Sequence, residues 1–333
     1  MASCFVARIS KPDERFGKPF YEVDVPSPLC RQIHPTSHRM SALSEESCIT
    51  SPLAEQIRVA CILEASAAKP GNVHPRAAFP DLTFEDFLRS AEAASPALAR
   101  AETIGVGRAI FAAVEATRAV VSSNTNLGIV LLIAPLVAVP SGQSLRSGIG
   151  EVLDRLTRED AAWVYRAIRL AQPGGLGTAD DQDITDEPTG TLREVMSLAA
   201  HRDGVAAQYD NGFEWVLNEG LPFLASIGSK FESCWESTII ELHLRLLAEH
   251  PDTLIARKCG ESVAVEASLL ARRCLDDITS LPIDSMERLR RINEFDQWLR
   301  ADGHRRNPGT TADLVAACLF AALRERAITA VKL

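Results

Sequence analysis

Apolar residues recur at helical spacing from residue 51 almost to the C-terminus, and no window shows strand-like alternation between two turn signals. In the first such segment, Leu53, Ile57 and Cys61 share one stripe, which ends before the helix-breaking pair Pro70-Gly71. A chain with this period buries its apolar stripes by packing helix on helix. The fold is therefore predicted to be all-α.

The pattern predicts a single large helical bundle of about ten helices over residues 51–333. Capping-box spacing at Thr191–Glu194 and at Thr310–Asp313 marks two predicted helix starts. Residues 1–50 are rich in proline and charge and lack a sustained period, so we expect a poorly ordered N-terminal extension. After the first helix, further helices are predicted at about 83–100, 105–122, 125–139, 142–156, 159–171, 191–218, 231–249, 259–277, 285–301 and 310–327.

The net charge, the longest apolar run and the cysteine pattern limit which partners and which cellular compartment are expected. The net charge of -9 argues against nucleic acid or an anionic membrane surface as the main partner, because both attract basic proteins. The longest apolar run, residues 127–139, is shorter than the roughly 20 residues that a bilayer span requires. The eight cysteines form no C-x-x-C pair, which is typical of reduced thiols in a cytoplasmic protein.

Five helix junctions contain residue types that can bind a ligand or take part in catalysis. Junctions at one end of a helical bundle can converge on one cleft. The acidic junction offers Asp180, Asp181 and Asp183 as oxygen ligands for Mg²⁺. A solvated surface loop is the equally weighted alternative for this segment. The five junctions are EASAAKPGNVHP (64–75), SSNTNLG (122–128), GTADDQDITDE (177–187), PDTLIARKCG (251–260) and RRNPGTTAD (305–313).

Glu64 occupies the position where the next core residue of the first stripe would lie. A carboxylate there must be ion-paired, metal-bound or protonated, because an isolated buried charge is very costly. A salt bridge to a lysine or arginine is the commonest of these outcomes. Lys69, Gly71 and His74 follow in the next turn, where Lys69 could bind phosphate or could simply end the helix. His74 is a candidate base.

The last junction places Asn307, Gly309, Thr310 and Asp313 at a helix start, where backbone amides favour an anion such as phosphate. Plain capping by Thr310 is the competing interpretation. Arg257 and Lys258 could neutralise anionic oxygens, although each could also be a solvated surface charge. His243 lies among apolar residues at helical spacing and is predicted to be a core histidine rather than a base.

Read in order, these junctions resemble the triphosphoribosyl-dephospho-CoA synthase family, and the resemblance runs from about Pro52 to Ala327. It implies an all-α catalytic domain that transfers the triphosphoribosyl group of ATP onto 3'-dephospho-CoA and releases adenine. It also implies Mg²⁺ as cofactor, holding the triphosphate, and ATP and dephospho-CoA as the small-molecule partners. The chain departs from the family where it reads NTNLG instead of NTHKG and NPGTTADL instead of SPGGSADL. These departures leave a related alcohol acceptor open.

Mapped by motif, the resemblance implies a set of site residues. The catalytic candidates are Glu64, Asp183 and His74; the metal ligands are Asp180 and Asp181; the nucleotide-binding candidates are Lys69, Gly71, Asn124, Thr125, Arg257, Lys258, Asn307, Gly309, Thr310 and Asp313. One alternative is another Mg²⁺-dependent nucleotide or sugar-phosphate transferase or phosphohydrolase in cofactor biosynthesis. A second alternative is a catalytically silent helical nucleotide-binding protein. The oligomeric state is not predicted.

Overall fold

A computed structural model describes residues 51–172, 184, 186–329 and 331. In these residues the regular structure is helical throughout, with fifteen α-helices, one short π-helix and one 3-10 turn. Only two isolated bridges, His74 with Ala77 and Phe79 with Leu82, resemble strand pairing there. The all-α prediction is confirmed, with more helices than the ten or so expected. The proposed extension, residues 1–50, lies outside the described residues.

The bounds of the elements are as follows. They are α1 (Pro52–Ser66), α2 (Phe84–Leu98), α3 (Ala101–Ile104), α4 (Val106–Val120), α5 (Leu127–Ala138), α6 (Leu145–Asp154), α7 (Arg158–Ala171), α8 (Leu192–Ala199), α9 (Gly204–Asn211), the π-helix (Trp215–Gly220), α10 (Leu221–Ile227), the 3-10 turn (Gly228–Lys230), α11 (Phe231–Glu249), α12 (Thr253–Cys259), α13 (Glu261–Thr279), α14 (Met286–Arg300) and α15 (Gly309–Arg324).

Two predicted helix starts have different outcomes. Thr191 and Glu194 form the expected capping box at the start of α8. The box predicted at Thr310 and Asp313 is wrong, because α15 already begins at Gly309 and has no side-chain cap. Both side chains are therefore released from capping and are available to other partners.

The single helix predicted over 191–218 is also wrong, because it is broken twice. The first break falls at Asp203, whose side chain caps α9 by accepting hydrogen bonds from the backbone N–H groups of Val205 and Ala206. The second break falls at Gly212 and Phe213, which both adopt a positive φ. Similarly, the junction predicted at 251–260 contains α12, a short helix capped by Asp252.

The centre of the bundle is formed by α5 and α15, which pack against each other and are apolar on nearly every side. Around them, α1, α4 and α7 contribute to the larger apolar core. A second core joins α11 to α13 and α14. None of the described helices is both long enough and apolar enough to cross a bilayer. Because α5 and α15 start at the same cavity, the core fixes where their N-termini lie.

Candidate active site

A cavity of about 1280 Å³ opens where the N-termini of α5, α9, α12 and α15 meet. Residues from both halves of the chain line it, and α1 contributes Glu64 to the wall. Of the site residues predicted from the sequence, those lining the cavity are Glu64, Asn124, Thr125, Arg257, Lys258, Asn307, Gly309, Thr310 and Asp313. Asp180, Asp181 and Asp183 lie outside the described residues. Lys69, Gly71 and His74 do not line the cavity.

Asp252 joins the N-termini of α12 and α15. One carboxylate oxygen caps α12, accepting hydrogen bonds from the N–H groups of Leu254 (2.9 Å) and Ile255 (3.0 Å). The other oxygen accepts bonds from the backbone N–H and the hydroxyl of Thr311, both at 2.8 Å. Burial raises the pKa of Asp252 even though these bonds oppose the shift. One buried carboxylate thus fixes two of the helix starts at the cavity.

A pair of threonine hydroxyls extends this junction to α9. The hydroxyls of Thr253 and Thr310 lie 3.1 Å apart, and the backbone N–H of Gly204 donates to the Thr253 oxygen at 3.1 Å. Thr310 therefore helps to connect the N-termini of α9, α12 and α15, and it does not cap its own helix.

Glu64 and Lys69 form a buried ion pair, the alternative that the sequence kept open for Glu64. Their charged atoms, Lys69 Nζ and Glu64 Oε1, are 2.9 Å apart, and the lysine side chain is fully buried. Lys69 also donates to the carbonyl oxygens of Glu64 and, at 3.4 Å, Ala67. The three N–H groups of the ammonium are thereby occupied. Glu64 therefore lines the cavity, whereas Lys69, its ion-pair partner, does not.

His243 lies in the core beside this pair. Its ring is fully buried, as the sequence predicted. Burial lowers the pKa of His243 to about 3, and the charge of Lys69 acts in the same direction. The imidazole is accordingly neutral beside the lysine cation.

The turn after α1 positions Asn72 on the cavity wall. Gly71 has a φ of +77°, and an added Cβ would lie 2.8 Å from atoms of Leu299 and Pro308, so the turn requires glycine. Asn72 then donates from Nδ2 to Asn307 Oδ1 at 2.7 Å. Gly71 thus shapes the turn, while Asn72 and Asn307 present amide groups to the cavity.

His74 lies further along the same turn, away from the cavity lining. Its Nδ1 accepts a hydrogen bond from the backbone N–H of Arg76 at 3.3 Å. Burial lowers the pKa of His74 to about 4, and the nearby charges of Arg300 and Arg76 lower it further. His74 is therefore neutral at pH 7.

The N-terminus of α5 brings the NTNLG segment into contact with α15. Asn124 Oδ1 accepts from the N–H of Leu127 at 3.3 Å, and the hydroxyls of Thr125 and Ser90 lie 2.6 Å apart. A Cβ at Gly128 would lie 2.0 Å from Asp313 Oδ2, closer than any real contact. A side chain at position 128 would therefore displace the Asp313 carboxyl group.

Asp313 is partly exposed to the cavity, and among the described residues no hydrogen bond or ion pair engages its carboxyl group. Burial raises its pKa well above the ordinary value, and the negative charges of Glu64, Asp252 and Asp203 raise it further. Arg257 opposes the shift only partly. This environment favours the protonated carboxyl group.

Cationic side chains also line the cavity. Arg257 pairs with Asp203 at 3.4 Å. Within the described part of the chain, the side chains of Lys258 and Arg202 have no ion-pair partner, so their charges are available to a ligand. Burial lowers the pKa of Lys258, and Arg257 adds to that shift.

The sequence interpretation missed Arg202, Asp203 and Gly204, all of which line the cavity. These residues fall in the interior of the long helix predicted over 191–218. The signal was present, because Asp-Gly is a turn dipeptide and Asp is a favoured N-cap. His304 was missed as well; it stacks on Phe79 with ring centroids 4.6 Å apart.

The family model described as ATP:dephospho-CoA triphosphoribosyl transferase matches residues 50–331. A crystal structure from Archaeoglobus fulgidus, of a protein provisionally assigned as a triphosphoribosyl-dephospho-CoA synthase, is 28% identical with a TM-score of 0.58. The alignment covers 73% of this chain and 99% of that one. No curated protein gives a significant match. The chain belongs to the ATP:dephospho-CoA triphosphoribosyl transferase family and is a transferase of the triphosphoribosyl-dephospho-CoA synthase type.

Proposed function

We propose that the protein transfers the triphosphoribosyl group of ATP to a hydroxyl of 3'-dephospho-CoA, releases adenine and depends on Mg²⁺. The observation that carries the proposal is the convergence of distant family segments on one cavity. Glu64, the NTNLG segment, the Arg257-Lys258 pair and the NPGTTAD segment all line it. The cavity joins carboxylates suited to glycosyl chemistry with groups suited to binding phosphate.

The triphosphate is assigned to Arg202, Lys258 and the start of α5, all of which line the cavity. The backbone N–H groups of Gly128 and Ile129 have no acceptor among the described hydrogen bonds. Free amides at a helix N-terminus favour an anion, and two cations without ion-pair partners add charge neutralisation. The N-termini of α9 and α12 are less available, because Asp203 and Asp252 already cap them.

The size and lining of the cavity suit two substrates bound together. At about 1280 Å³, it exceeds the roughly 300–1,000 Å³ typical of a site for one small ligand. One wall is apolar and includes Ile168, Val195 and Leu198, of which Leu198 is 53% exposed. An exposed leucine on a cavity wall suits the uncharged arm of dephospho-CoA.

Glu64 is assigned as the base that accepts the proton of the acceptor hydroxyl. Its ion pair with Lys69 fixes the carboxylate in position. A fixed carboxylate also stabilises the positive charge that develops on the ribose as the bond to adenine breaks. Of the three catalytic candidates, Glu64 is the one that the structure describes on the cavity wall.

The metal is assigned to the acidic segment. Mg²⁺ needs only one or two protein carboxylates when phosphate and water complete its shell. No group of three or more potential metal-binding side chains occurs among the described residues. Gln172 and Ile184, described on either side of residues 173–183, both line the cavity, which supports Asp180 and Asp181 as ligands. Bound there, Mg²⁺ would neutralise and orient the triphosphate.

The test is adenine release from ATP in the presence of Mg²⁺ and dephospho-CoA. We expect acceptor-dependent adenine from the wild type and loss of at least about a hundredfold in the rate for Glu64→Gln, with ATP affinity retained. Acceptor-independent phosphate release would favour the phosphohydrolase alternative. ATP binding with neither product would favour the silent binding protein, and either result would overturn the proposal.

A further inference from the structure

The proposed transfer leaves one proton unassigned. When the C1'–N9 bond of ATP breaks, its electron pair goes to adenine, which is a poor leaving group unless a ring nitrogen is protonated. A positioned acid typically contributes 10²–10⁴-fold, by order of magnitude, to such a step. Glu64 is the wrong group for this role, because it is held in an ion pair with Lys69 and the proposed transfer uses it as the base.

Asp313 has the geometry of such an acid. It lies in the first turns of α15, and its carboxyl group packs over the start of α5, where Gly128 leaves room for it. It lines the same cavity as Glu64, and α1 packs against α15. In the described chain its oxygens have no donor, so they are free to meet a ligand.

The surroundings of Asp313 raise its pKa: burial acts most strongly, and three nearby carboxyl groups act in the same direction. Glu64 faces it from α1, Asp203 from the start of α9 and Asp252 from the start of α12. Cys61 is the other titratable group on α1 that is coupled to it electrostatically, and burial keeps the Cys61 thiol protonated. Arg257 on α12 is the opposing cation, and it is already paired with Asp203. Two carboxyl groups in one site whose environments differ in this way divide into an acid and a base.

We propose that Asp313, in its protonated form, is the catalytic acid that donates a proton to a ring nitrogen of the departing adenine. In the same step, the acceptor oxygen bonds to C1' and its proton passes to Glu64. One proton leaves Asp313 and one arrives at Glu64, so exchange with solvent restores both groups. The inference rests on the proposed function and adds the group that activates its leaving base.

The experiment compares two donors with Asp313→Asn. The first donor is ATP; the second is the 5'-triphosphate of p-nitrophenyl riboside, whose weakly basic leaving group departs without a proton. With ATP, kcat of the variant should fall by about a hundredfold or more. With the p-nitrophenyl donor it should change by less than about threefold, whereas Glu64→Gln should slow both donors. Calorimetric ATP affinity close to wild type shows that the variant site is intact.

A purely structural role for Asp313 would slow both donors equally, and that result would overturn the inference. A second readout is the pH profile. With ATP, kcat of the wild type should fall as the pH rises and Asp313 loses its proton, and the p-nitrophenyl donor should lack this limb. Adenine release by the wild type, together with an unaffected Asp313→Asn, rejects only this inference. Absence of adenine release by the wild type rejects the proposed function as well.

Discussion

At the scale of single residues, the Glu64–Lys69 ion pair couples the stability of the fold to the site. Solvent does not reach Lys69, so replacing it by methionine leaves the Glu64 carboxylate buried without its partner. We expect Lys69→Met to lower the free energy of unfolding by about 3–5 kcal/mol. Urea denaturation measures this loss.

An ion pair at the surface of α1 supplies the matched control. Arg58 and Glu55 form a 2.7 Å ion pair at the surface, with side chains 34% and 47% exposed. Arg58→Met should cost no more than about 1 kcal/mol. The double variant Glu64→Gln/Lys69→Met should recover part of the lost stability, because it removes the orphaned charge. Equal losses for Lys69→Met and Arg58→Met would contradict the buried-pair interpretation.

Asp313 gives a prediction about pH. Its pKa is raised above the unfolded value, so its favourable contribution to stability is present below the unfolded pKa and is lost as the pH rises through the folded pKa. Asp313→Asn, which cannot ionise, should therefore melt at a higher temperature than the wild type at pH 7–8. The difference should shrink toward pH 4. Thermal denaturation across this range checks the sign, and a variant destabilised at pH 8 would contradict it.

The sequence identified both Glu64 and Lys69 as candidate site residues, but it did not show that they form an ion pair with each other. A lysine before Pro-Gly is compatible with phosphate binding and with a helix stop, and both interpretations use local pattern alone. What decides between them is whether the ammonium still has free N–H groups. Here the acceptors come from Glu64 and Ala67, through a turn whose geometry only the folded chain fixes.

At the scale of elements, Gly128 on α5 lies against the Asp313 side chain of α15. A methyl group there would meet the Asp313 carboxyl group at 2.0 Å. Gly128→Ala should destabilise the protein by about 1–3 kcal/mol through overpacking. Displacement of Asp313 should also lower adenine release roughly a hundredfold.

Gly150 is the control for this substitution, because it is exposed on α6 and no atom lies within 4 Å of an added Cβ. Gly150→Ala should stabilise the protein by about 0.5–1 kcal/mol, since glycine inside a helix is entropically costly. Melting temperatures and rates of adenine release, measured for both variants, test these two predictions. Full activity in Gly128→Ala would contradict the proposed contact with Asp313.

The junction of α12 and α15 can be tested through one hydroxyl group. Thr311 donates both its N–H and its hydroxyl to Asp252. Thr311→Val keeps the shape and removes the hydroxyl donor, so it should cost about 1–3 kcal/mol and weaken ATP binding. Thr311→Ser keeps the donor and should lose much less. Calorimetry with both variants tests this; equal ATP affinity in the wild type and Thr311→Val would show that the junction does not position the site.

Element boundaries were where sequence reasoning fell short. Most helices were predicted within a few residues, since their apolar stripes are long and regular. The long helix over 191–218 was wrong because apolar residues continue at helical spacing across Asp203-Gly204. A capping aspartate and a glycine need only one turn to start a new helix, and that turn barely disturbs the period. The missed break is the one that presents Arg202 and Asp203 to the cavity.

At the scale of the whole molecule, the helical period gave the fold class, and the motifs gave most of the site. Their convergence on one cavity could be expected, but the sequence could not specify it, because no pattern states which junctions share one end of a bundle. In the structure, the packing of two buried central helices, α5 and α15, determines which junctions lie together. They start at the same cavity, and the apolar core holds them there.

The central claim is that ribose and all three phosphates move together from ATP to the acceptor. The most direct measurement follows ATP labelled in its γ-phosphate, with dephospho-CoA and Mg²⁺, and counts adenine alongside the labelled products. We expect one labelled acceptor, heavier by one triphosphoribosyl group, for each adenine released. Label appearing as free phosphate, or adenine released without a labelled acceptor, would contradict it.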